Sequence, residues 1–111
     1  AAILSQMSIR GQIKNCIVDG PFGFDNAINK KAAYIKGIVG DVAGDADVIL
    51  APEIESANIL YKSLLYFGNS CCAAVVAGTQ IPIVLTSRTD PHKTKFYSLV
   101  LGIIISQSKK S

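Results

Sequence analysis

Long apolar runs, tryptophan and a strong excess of charge are all missing from this chain of 111 residues. Its longest apolar stretches, such as CCAAVVAG and LVLGIII, are shorter than the roughly 18 to 20 residues of a membrane-spanning helix, so no membrane partner is expected. Charged residues make up 17% of the chain and the net charge is +3, which argues against disorder and against a nucleic-acid partner. Half of the residues are apolar. We expect one folded domain spanning residues 1–111.

Cysteine is scarce, and the three cysteines, Cys16, Cys71 and Cys72, are an odd number. The sequence shows no basic segment followed by an apolar stretch and a cleavage site. We therefore predict reduced thiols in a cytoplasmic protein; a redox pair of Cys71 and Cys72 is the alternative, although neighbours on a strand point to opposite faces. The opening segment, AAILSQMS, is more typical of the end of a helix than of the start of a domain, so we expect a fragment of a longer protein.

Apolar spacing alternates between strand and helix along the chain. Helical spacing predicts one helix in DNAINKKAAYIKG that ends at Gly37, one in SANILYKSLLYFGN with Ser56 as its N-cap and Gly68 as its stop, and one that begins with Asp90 as cap and Pro91. Four apolar segments of strand length accompany them: IKNCIVDG, DVIL, CCAAVVAG and IPIVLTS. This alternation favours an α/β fold, a mainly parallel sheet flanked by helices.

The last predicted helix carries apolar side chains on nearly every side. A helix that is apolar all round is buried all round, and one small sheet covers only one stripe of it. We therefore expect another domain or a second subunit, as in a homodimer, to cover the rest. The segment that follows, 106–111, is predicted to be a loose tail.

Three polar turns, VDGPFGFD, APEIESAN and TSRTDPH, each follow a predicted strand and precede a helix. Ligands of open α/β sheets bind at such turns, and the N–H groups of a helix N-terminus favour an anion, so we predict a phosphate site. In the third turn Ser87 can donate a hydrogen bond, Arg88 can hold phosphate with two N–H groups, and Asp90 or His92 could transfer a proton. The structural alternatives are a helix cap for Asp90, an exposed position for His92 and a surface ion pair for Arg88.

The second turn places acidic residues at the start of a helix. Glu53 and Glu55 complement the helix dipole there, and the residues from Glu55 to Asn58 begin a helix whose N-terminus faces the predicted ligand. Tyr61 and Lys62 follow one turn further along. Packing and a solvated charge are the alternative explanations for these two residues.

In their order and spacing, VDGPFGFDNAINKKAA, VAGDADVILAPEIESANILYKSL and IPIVLTSR resemble the carboxy-terminal half of the phosphate acetyltransferase and phosphate butyryltransferase family, closer to the butyryltransferase branch. The resemblance extends from about Ile13 to Ile105. It implies one domain of a two-domain fold related to isopropylmalate dehydrogenases, with the active site between the domains, and a homodimer. It also implies transfer of an acyl group between coenzyme A and phosphate, with coenzyme A as a substrate and with no bound cofactor or metal.

The resemblance also implies roles for individual residues. Ser87 and Arg88 match the catalytic serine and the phosphate-contacting arginine. Asp90 and His92 are the nearby substitutes for the general base, and neither is at the position that the family's pattern gives it. The matching blocks contain the candidate substrate-binding residues Asp19, Gly20, Glu55, Asn58, Tyr61 and Lys62.

Two positions depart from the family's pattern. Thr94 stands where the acetyltransferase pattern has its proposed carboxylate base, and Ala57 stands where the family usually has glycine. The family's chains are also much longer, so one wall of the active site lies outside this sequence. Three hypotheses follow: a truncated phosphate acyltransferase with half of its active site, a noncatalytic module that binds coenzyme A or phosphate or associates through its last helix, and an inactive remnant.

Overall fold

The computed structural model describes residues 1–108, which form five helices. By their internal contacts the residues fall into two compact units, Ala1–Ser56 and Ala57–Ser111. The helices are α1 (Ala2–Ile9), α2 (Phe24–Ile28), α3 (Lys30–Ile35), α4 (Ile54–Tyr66) and α5 (His92–Ser108). The first three lie in the first unit, and α5 lies in the second. The organisation as one domain stays a prediction.

The predicted parallel sheet is not found among residues 1–108. The segments expected as strands form no ladder there, and the β-pairing consists of one isolated antiparallel bridge between Val76 and Ile83. A strand forms a ladder only where a neighbouring strand supplies N–H and C=O partners. Val48 and Leu50, in the segment expected to be a buried strand, are 84% and 77% exposed, so this segment is not buried among residues 1–108.

The predicted helix between Asp25 and Gly37 is interrupted at Asn29. The Asn29 backbone is extended, with φ −134° and ψ 109°, and it separates α2 from α3. Its side-chain oxygen accepts a hydrogen bond of 3.0 Å from the backbone N–H of Ala32, so Asn29 is the N-cap of α3. Asparagine competes for backbone hydrogen bonds in this way, which is why a capping position replaces the helix interior that apolar spacing predicts.

A glycine turn packs against this pair of helices. The N–H of Gly44 donates to the carbonyl of Asn26 at 2.7 Å, and the N–H of Ala46 donates to the carbonyl of Ala27 at 3.0 Å. Gly44 has φ +80°, and a Cβ at this position would collide with the backbone of Lys30. The close approach therefore requires glycine.

Helix α4 begins three residues earlier than the predicted N-cap at Ser56 implies. It starts at Ile54, and the Ser56 hydroxyl donates to the carbonyl of Glu53 at 3.1 Å. The prediction of Ser56 as N-cap is therefore wrong, because Ser56 lies within the first turn. The helix ends at Tyr66, close to the predicted stop at Gly68, and Leu65 is its buried residue.

Helix α5 packs through its smallest residues. Thr94, Ser98 and Gly102, spaced four residues apart, are its buried positions. The Ser98 hydroxyl donates to the Thr94 carbonyl at 2.7 Å and accepts from the Ala74 N–H at 2.9 Å. A Cβ on Gly102 would lie 2.6 Å from Cγ2 of Val84, so the helix approaches Val84 very closely.

The large apolar residues of α5 point away from this contact. Phe96, Leu99, Ile103 and Ile104 are each between 57% and 61% exposed. The structure thus covers one stripe of the helix, as the sequence predicts, and cover for the remainder stays a prediction.

The end of α5 differs from the predicted tail. The helix continues to Ser108, so residues 106–108 are helical and not loose, and residues 109–111 lie outside the described part of the chain. Among residues 1–108, none of the helices combines the length and the hydropathy that crossing a membrane requires.

Candidate functional site

The third polar turn closes on itself through Asp90. The Asp90 N–H donates to the Ser87 carbonyl at 3.1 Å, and the Ser87 N–H donates to Oδ2 of Asp90 at 2.8 Å. Asp90 is 6% exposed, and α5 begins only at His92. Its carboxylate therefore turns back toward Ser87, and the alternative of a helix cap is wrong.

The second oxygen of Asp90 holds a lysine from α4. Nζ of Lys62 lies 3.1 Å from Oδ1 of Asp90, and the two side chains are 29% and 2% exposed. The same ammonium lies 5.0 Å from the ring centre of Tyr61 and 5.9 Å from that of Tyr66, within the range of cation–π attraction. Lys62 is thus a partly buried, paired cation and not a solvated charge.

Ionisation in this cluster follows from burial and from these partners. Burial alone would raise the pKa of Asp90, but the Ser87 N–H and the Lys62 ammonium outweigh it, and the pKa lies below its ordinary value. Burial, followed by the nearby Asp90 carboxylate, raises the pKa of Tyr61 to about 12. At neutral pH Asp90 is an anion and Tyr61 a neutral phenol.

The Tyr61 hydroxyl is buried, and it makes no hydrogen bond within normal geometry to residues 1–108. A neutral phenol is both a donor and an acceptor. The Tyr61 hydroxyl nevertheless lies close enough to the Asp90 carboxylate for each group to shift the pKa of the other.

Ser87 and Arg88 differ in how firmly the turn holds them. Oγ of Ser87 lies 3.1 Å from Oγ1 of Thr89 and accepts a 3.4 Å hydrogen bond from the Thr89 N–H. Arg88 is exposed, its carbonyl accepts from Lys95 at 3.4 Å, and its guanidinium forms no ion pair or hydrogen bond with residues 1–108. The alternative of a surface ion pair for Arg88 therefore finds no partner in the described part of the chain.

Two predicted substrate-binding residues lie in the first unit, beside a shallow cavity. Oδ1 of Asp19 accepts from the Gly20 N–H at 2.7 Å, and the Gly20 carbonyl accepts from the Ser5 hydroxyl at 3.1 Å. Oδ2 of Asp19 is 3.0 Å from where a Cβ on Gly40 would lie. Gly40 lines a cavity of about 320 Å³, together with Lys30 and residues on and after α3.

The remaining predicted site residues differ in their exposure to solvent. Glu55, in the first turn of α4, and Asn58, one turn later, are exposed, and so is His92. Thr94, the residue at the expected base position, is only 2% exposed. Within the second unit the structure therefore brings together Tyr61, Lys62, Ser87 and Asp90.

Sequence reasoning missed the pairing of Lys62 with Asp90, which are 28 residues apart and share no local pattern. It also missed Tyr66 and Thr89 as neighbours of the cluster. The small residues Thr94, Ser98 and Gly102, at every fourth position, were a visible signal for the contact face of α5. His, Cys, Asp and Glu side chains of residues 1–108 nowhere form the groups of three that would suggest a metal site.

The sequence of the chain is similar to those of known proteins. A sequence profile described as phosphate acetyl/butaryl transferase matches residues 2–103. The chain is 49% identical over 110 residues to the phosphate butyryltransferase of Clostridium beijerinckii and 56% identical over 107 residues to the probable phosphate butyryltransferase of Bacillus subtilis. It is 52% identical over 106 residues to the phosphate acetyltransferase of Thermotoga maritima. These alignments cover 99%, 96% and 96% of the chain but 36% of each relative.

The fold agrees with this relationship. The crystal structure of a branched-chain phosphotransacylase from Enterococcus faecalis matches 92% of the chain with a TM-score of 0.73 and 34% sequence identity, and the match covers 39% of that protein. The chain therefore shares the fold of the corresponding part of a phosphotransacylase, and the resemblance seen in the three polar turns is confirmed. On its sequence and its fold, the chain belongs to the phosphate acetyl/butyryl transferase family.

Proposed function

We propose that this chain carries half of the active site of a phosphate acyltransferase. In the proposed reaction a phosphate oxygen attacks the carbonyl carbon of acyl-CoA, the carbon–sulfur bond breaks, and acyl phosphate and coenzyme A are released. The observation that supports this most is the turn of Ser87 and Asp90, where Asp90 holds both the Lys62 ammonium and the Ser87 backbone, and where Arg88, the next residue, has a guanidinium that forms no ion pair with residues 1–108. Such donors stabilise the charge that develops on phosphate and carbonyl oxygens.

We assign the roles in this site from the contacts. Arg88 binds phosphate, because its guanidinium is exposed and uncommitted. Ser87 donates a hydrogen bond from its hydroxyl to a reacting oxygen. Asp90 is less suited to the predicted role of general base, because its lowered pKa makes it a weak base. Thr94 is buried and cannot replace it.

We propose the substrate-binding residues, too, from their contacts and their exposure. Lys62 and Tyr61 belong to the Asp90 cluster, and Asn58 and Glu55 are exposed on the first turns of α4. Asp19 and Gly20 are joined by a local hydrogen bond, and Asp19 lies near Gly40, which lines a cavity of the first unit. The proposal takes coenzyme A as a substrate and involves no bound cofactor.

The wider organisation remains proposed as well. Exposed apolar segments such as the one containing Val48 and Leu50 support pairing into a mainly parallel, dehydrogenase-like sheet when the rest of a family protein is present. We propose that the chain works as part of a homodimeric assembly in the cytoplasm. Its three free thiols fit a reducing compartment.

A chimera tests the proposal. The segment of the Bacillus subtilis relative that matches this chain, 56% identical over 107 residues, is replaced by the chain, and acyl-phosphate formation is measured with acetyl-CoA and butyryl-CoA. We expect turnover by the chimera and none by the isolated 111-residue chain. Arg88→Ala should lower kcat by about 10²- to 10³-fold, the usual effect of losing one such donor.

The matched control is Arg10→Ala, because Arg10 is the other arginine of the chain and is exposed at the end of α1. A folded chimera without activity, or equal effects of the two substitutions, would contradict the proposal. Phosphate or coenzyme A binding by the isolated chain, with an inactive chimera, would instead favour the noncatalytic module.

A further inference from the structure

We propose that Asp90 is a positioning residue that couples Lys62 to Ser87 and thereby sets the geometry in which these two residues bind phosphate, without touching the phosphate itself. This inference rests on the proposed function for the identity of the ligand. The coupling between Lys62 and Ser87 rests on the structure alone.

The two oxygens of the Asp90 carboxylate contact different partners. Oδ1 is 3.1 Å from the ammonium of Lys62 on α4, and Oδ2 is 2.8 Å from the N–H of Ser87 in the turn before α5. A carboxylate with one partner on each oxygen is fixed in both position and rotation. Any displacement of Asp90 therefore moves the lysine relative to the serine.

Both partners keep capacity for a ligand. An ammonium has three N–H donors, the Lys62 side chain is 29% exposed, and one donor suffices for Asp90. Ser87 gives its backbone N–H to Asp90, and its hydroxyl can still rotate away from Thr89 to donate. An ammonium and a hydroxyl held at a constant separation form a preorganised pair for phosphate oxygens.

Asp90 itself is unsuited to contact the ligand. Its side chain is 2% exposed, and it is an anion that would repel phosphate. Its contribution must therefore pass through Lys62 and Ser87. This distinguishes it from a general base, which has to reach the reacting proton.

An NMR experiment on the full chain tests the coupling without any ligand. The backbone amide resonance of Ser87 is followed in the wild type, in Lys62→Met, in Asp90→Asn and in the double variant. We expect Lys62→Met to shift the Ser87 resonance in the wild-type background and to leave it unchanged when Asp90 is already asparagine, because the carboxylate carries the effect. An equal shift in both backgrounds, or no shift in either, would overturn the inference.

The conservative variant Asp90→Glu separates position from charge. Glutamate keeps the negative charge, but its extra methylene cannot satisfy both partners at the same geometry. We expect it not to restore the wild-type Ser87 resonance, and full restoration would refute positioning. Lys62→Met leaves the turn intact. If Asp90→Asn fails to fold, the Ser87 resonance is therefore compared between Lys62→Met and Asp90→Glu, and this comparison decides the outcome.

A second measurement addresses phosphate, by titrating inorganic phosphate into the same proteins. Asp90→Asn and Asp90→Glu should each weaken binding about tenfold or more, as expected when a charge-assisted contact is misplaced. Asp41→Asn is the charge-matched control, because Asp41 is exposed and forms none of the ion pairs of the described chain, and its affinity should equal that of the wild type. If the wild-type chain binds no phosphate, the proposed effect on phosphate fails, while the chimera still decides the proposed function and the NMR comparison still decides whether Asp90 couples Lys62 to Ser87. Equal affinities for the wild type and both Asp90 variants would overturn the proposed effect on phosphate.

Discussion

The substitution Lys62→Met should destabilise the chain much more than the loss of a second ion pair that is shorter but lies on the surface of the protein. Asp90 is 2% exposed on its side chain, so removal of the lysine leaves a buried carboxylate without a cation, next to the Ser87 N–H and the Tyr61 hydroxyl. Breaking a fully buried pair costs about 3–5 kcal/mol, and a hydrogen bond to a charged group is worth about 1.5–3 kcal/mol. Because Lys62 is 29% exposed, we take the lower range and expect a loss of about 2 kcal/mol.

The matched comparison is Lys30→Met. Lys30 pairs with Asp45 at 2.9 Å, a shorter distance, but the side chains are 71% and 64% exposed. Surface pairs of this kind contribute about 0–1 kcal/mol. Urea denaturation of the two variants and the wild type measures the difference, and equal losses would refute the argument that burial, and not distance, sets the strength of these pairs.

The effect of Lys62→Met also has a pH dependence. The pKa of Asp90 lies below its ordinary value, so the stabilisation is complete above about pH 4, where the unfolded carboxyl is ionised, and is lost as the pH falls through the folded-state pKa. Lys62→Met removes one cause of the lowered pKa. Its unfolding curve should therefore lose stability at a higher pH than that of the wild type, and superimposable pH profiles would contradict this.

Three further substitutions test the packing of the second unit, each measured by thermal unfolding. Gly102→Ala should destabilise the chain by about 1–3 kcal/mol, although alanine favours helices, because the new Cβ would lie 2.6 Å from Val84; a stabilised variant would contradict the close approach. Ser98→Ala should cost about 1–3 kcal/mol because the Ala74 N–H loses its partner, and an unchanged midpoint would show that this hydrogen bond is dispensable. Tyr61→Phe should be neutral or slightly stabilising because its buried hydroxyl makes no hydrogen bond of regular geometry among residues 1–108, whereas a loss above about 1 kcal/mol would show that its contact with Asp90 is stabilising.

The helices were largely predictable, because their signals are local. Apolar spacing placed α4 and α5 correctly and located their ends within a few residues. The interruption at Asn29 was not predicted, because apolar spacing does not register that an asparagine side chain can cap a new helix within the pattern.

The strands and the cluster around Asp90 depend on partners that are distant in sequence. Apolar runs such as the one containing Val48 and Leu50 indicate a strand, but they do not supply the neighbouring strand that would complete it. The sequence likewise identified Lys62 and Asp90 as separate candidates, but nothing in its spacing pairs residues 28 positions apart. Residue chemistry was therefore readable from the sequence, whereas the geometry that joins the residues was not.

The packing of α5 reverses the usual tolerance of a helix to mutation. In most helices the bulky apolar positions resist change and the small positions accept it. Here the contact is made by Ser98 and Gly102, so the mildest substitutions, which add a methyl group or remove a hydroxyl, fall on the least tolerant sites. A mutational scan of the isolated chain should accept polar residues at Phe96 and Ile103, which offers a route to more soluble variants that keep the same fold.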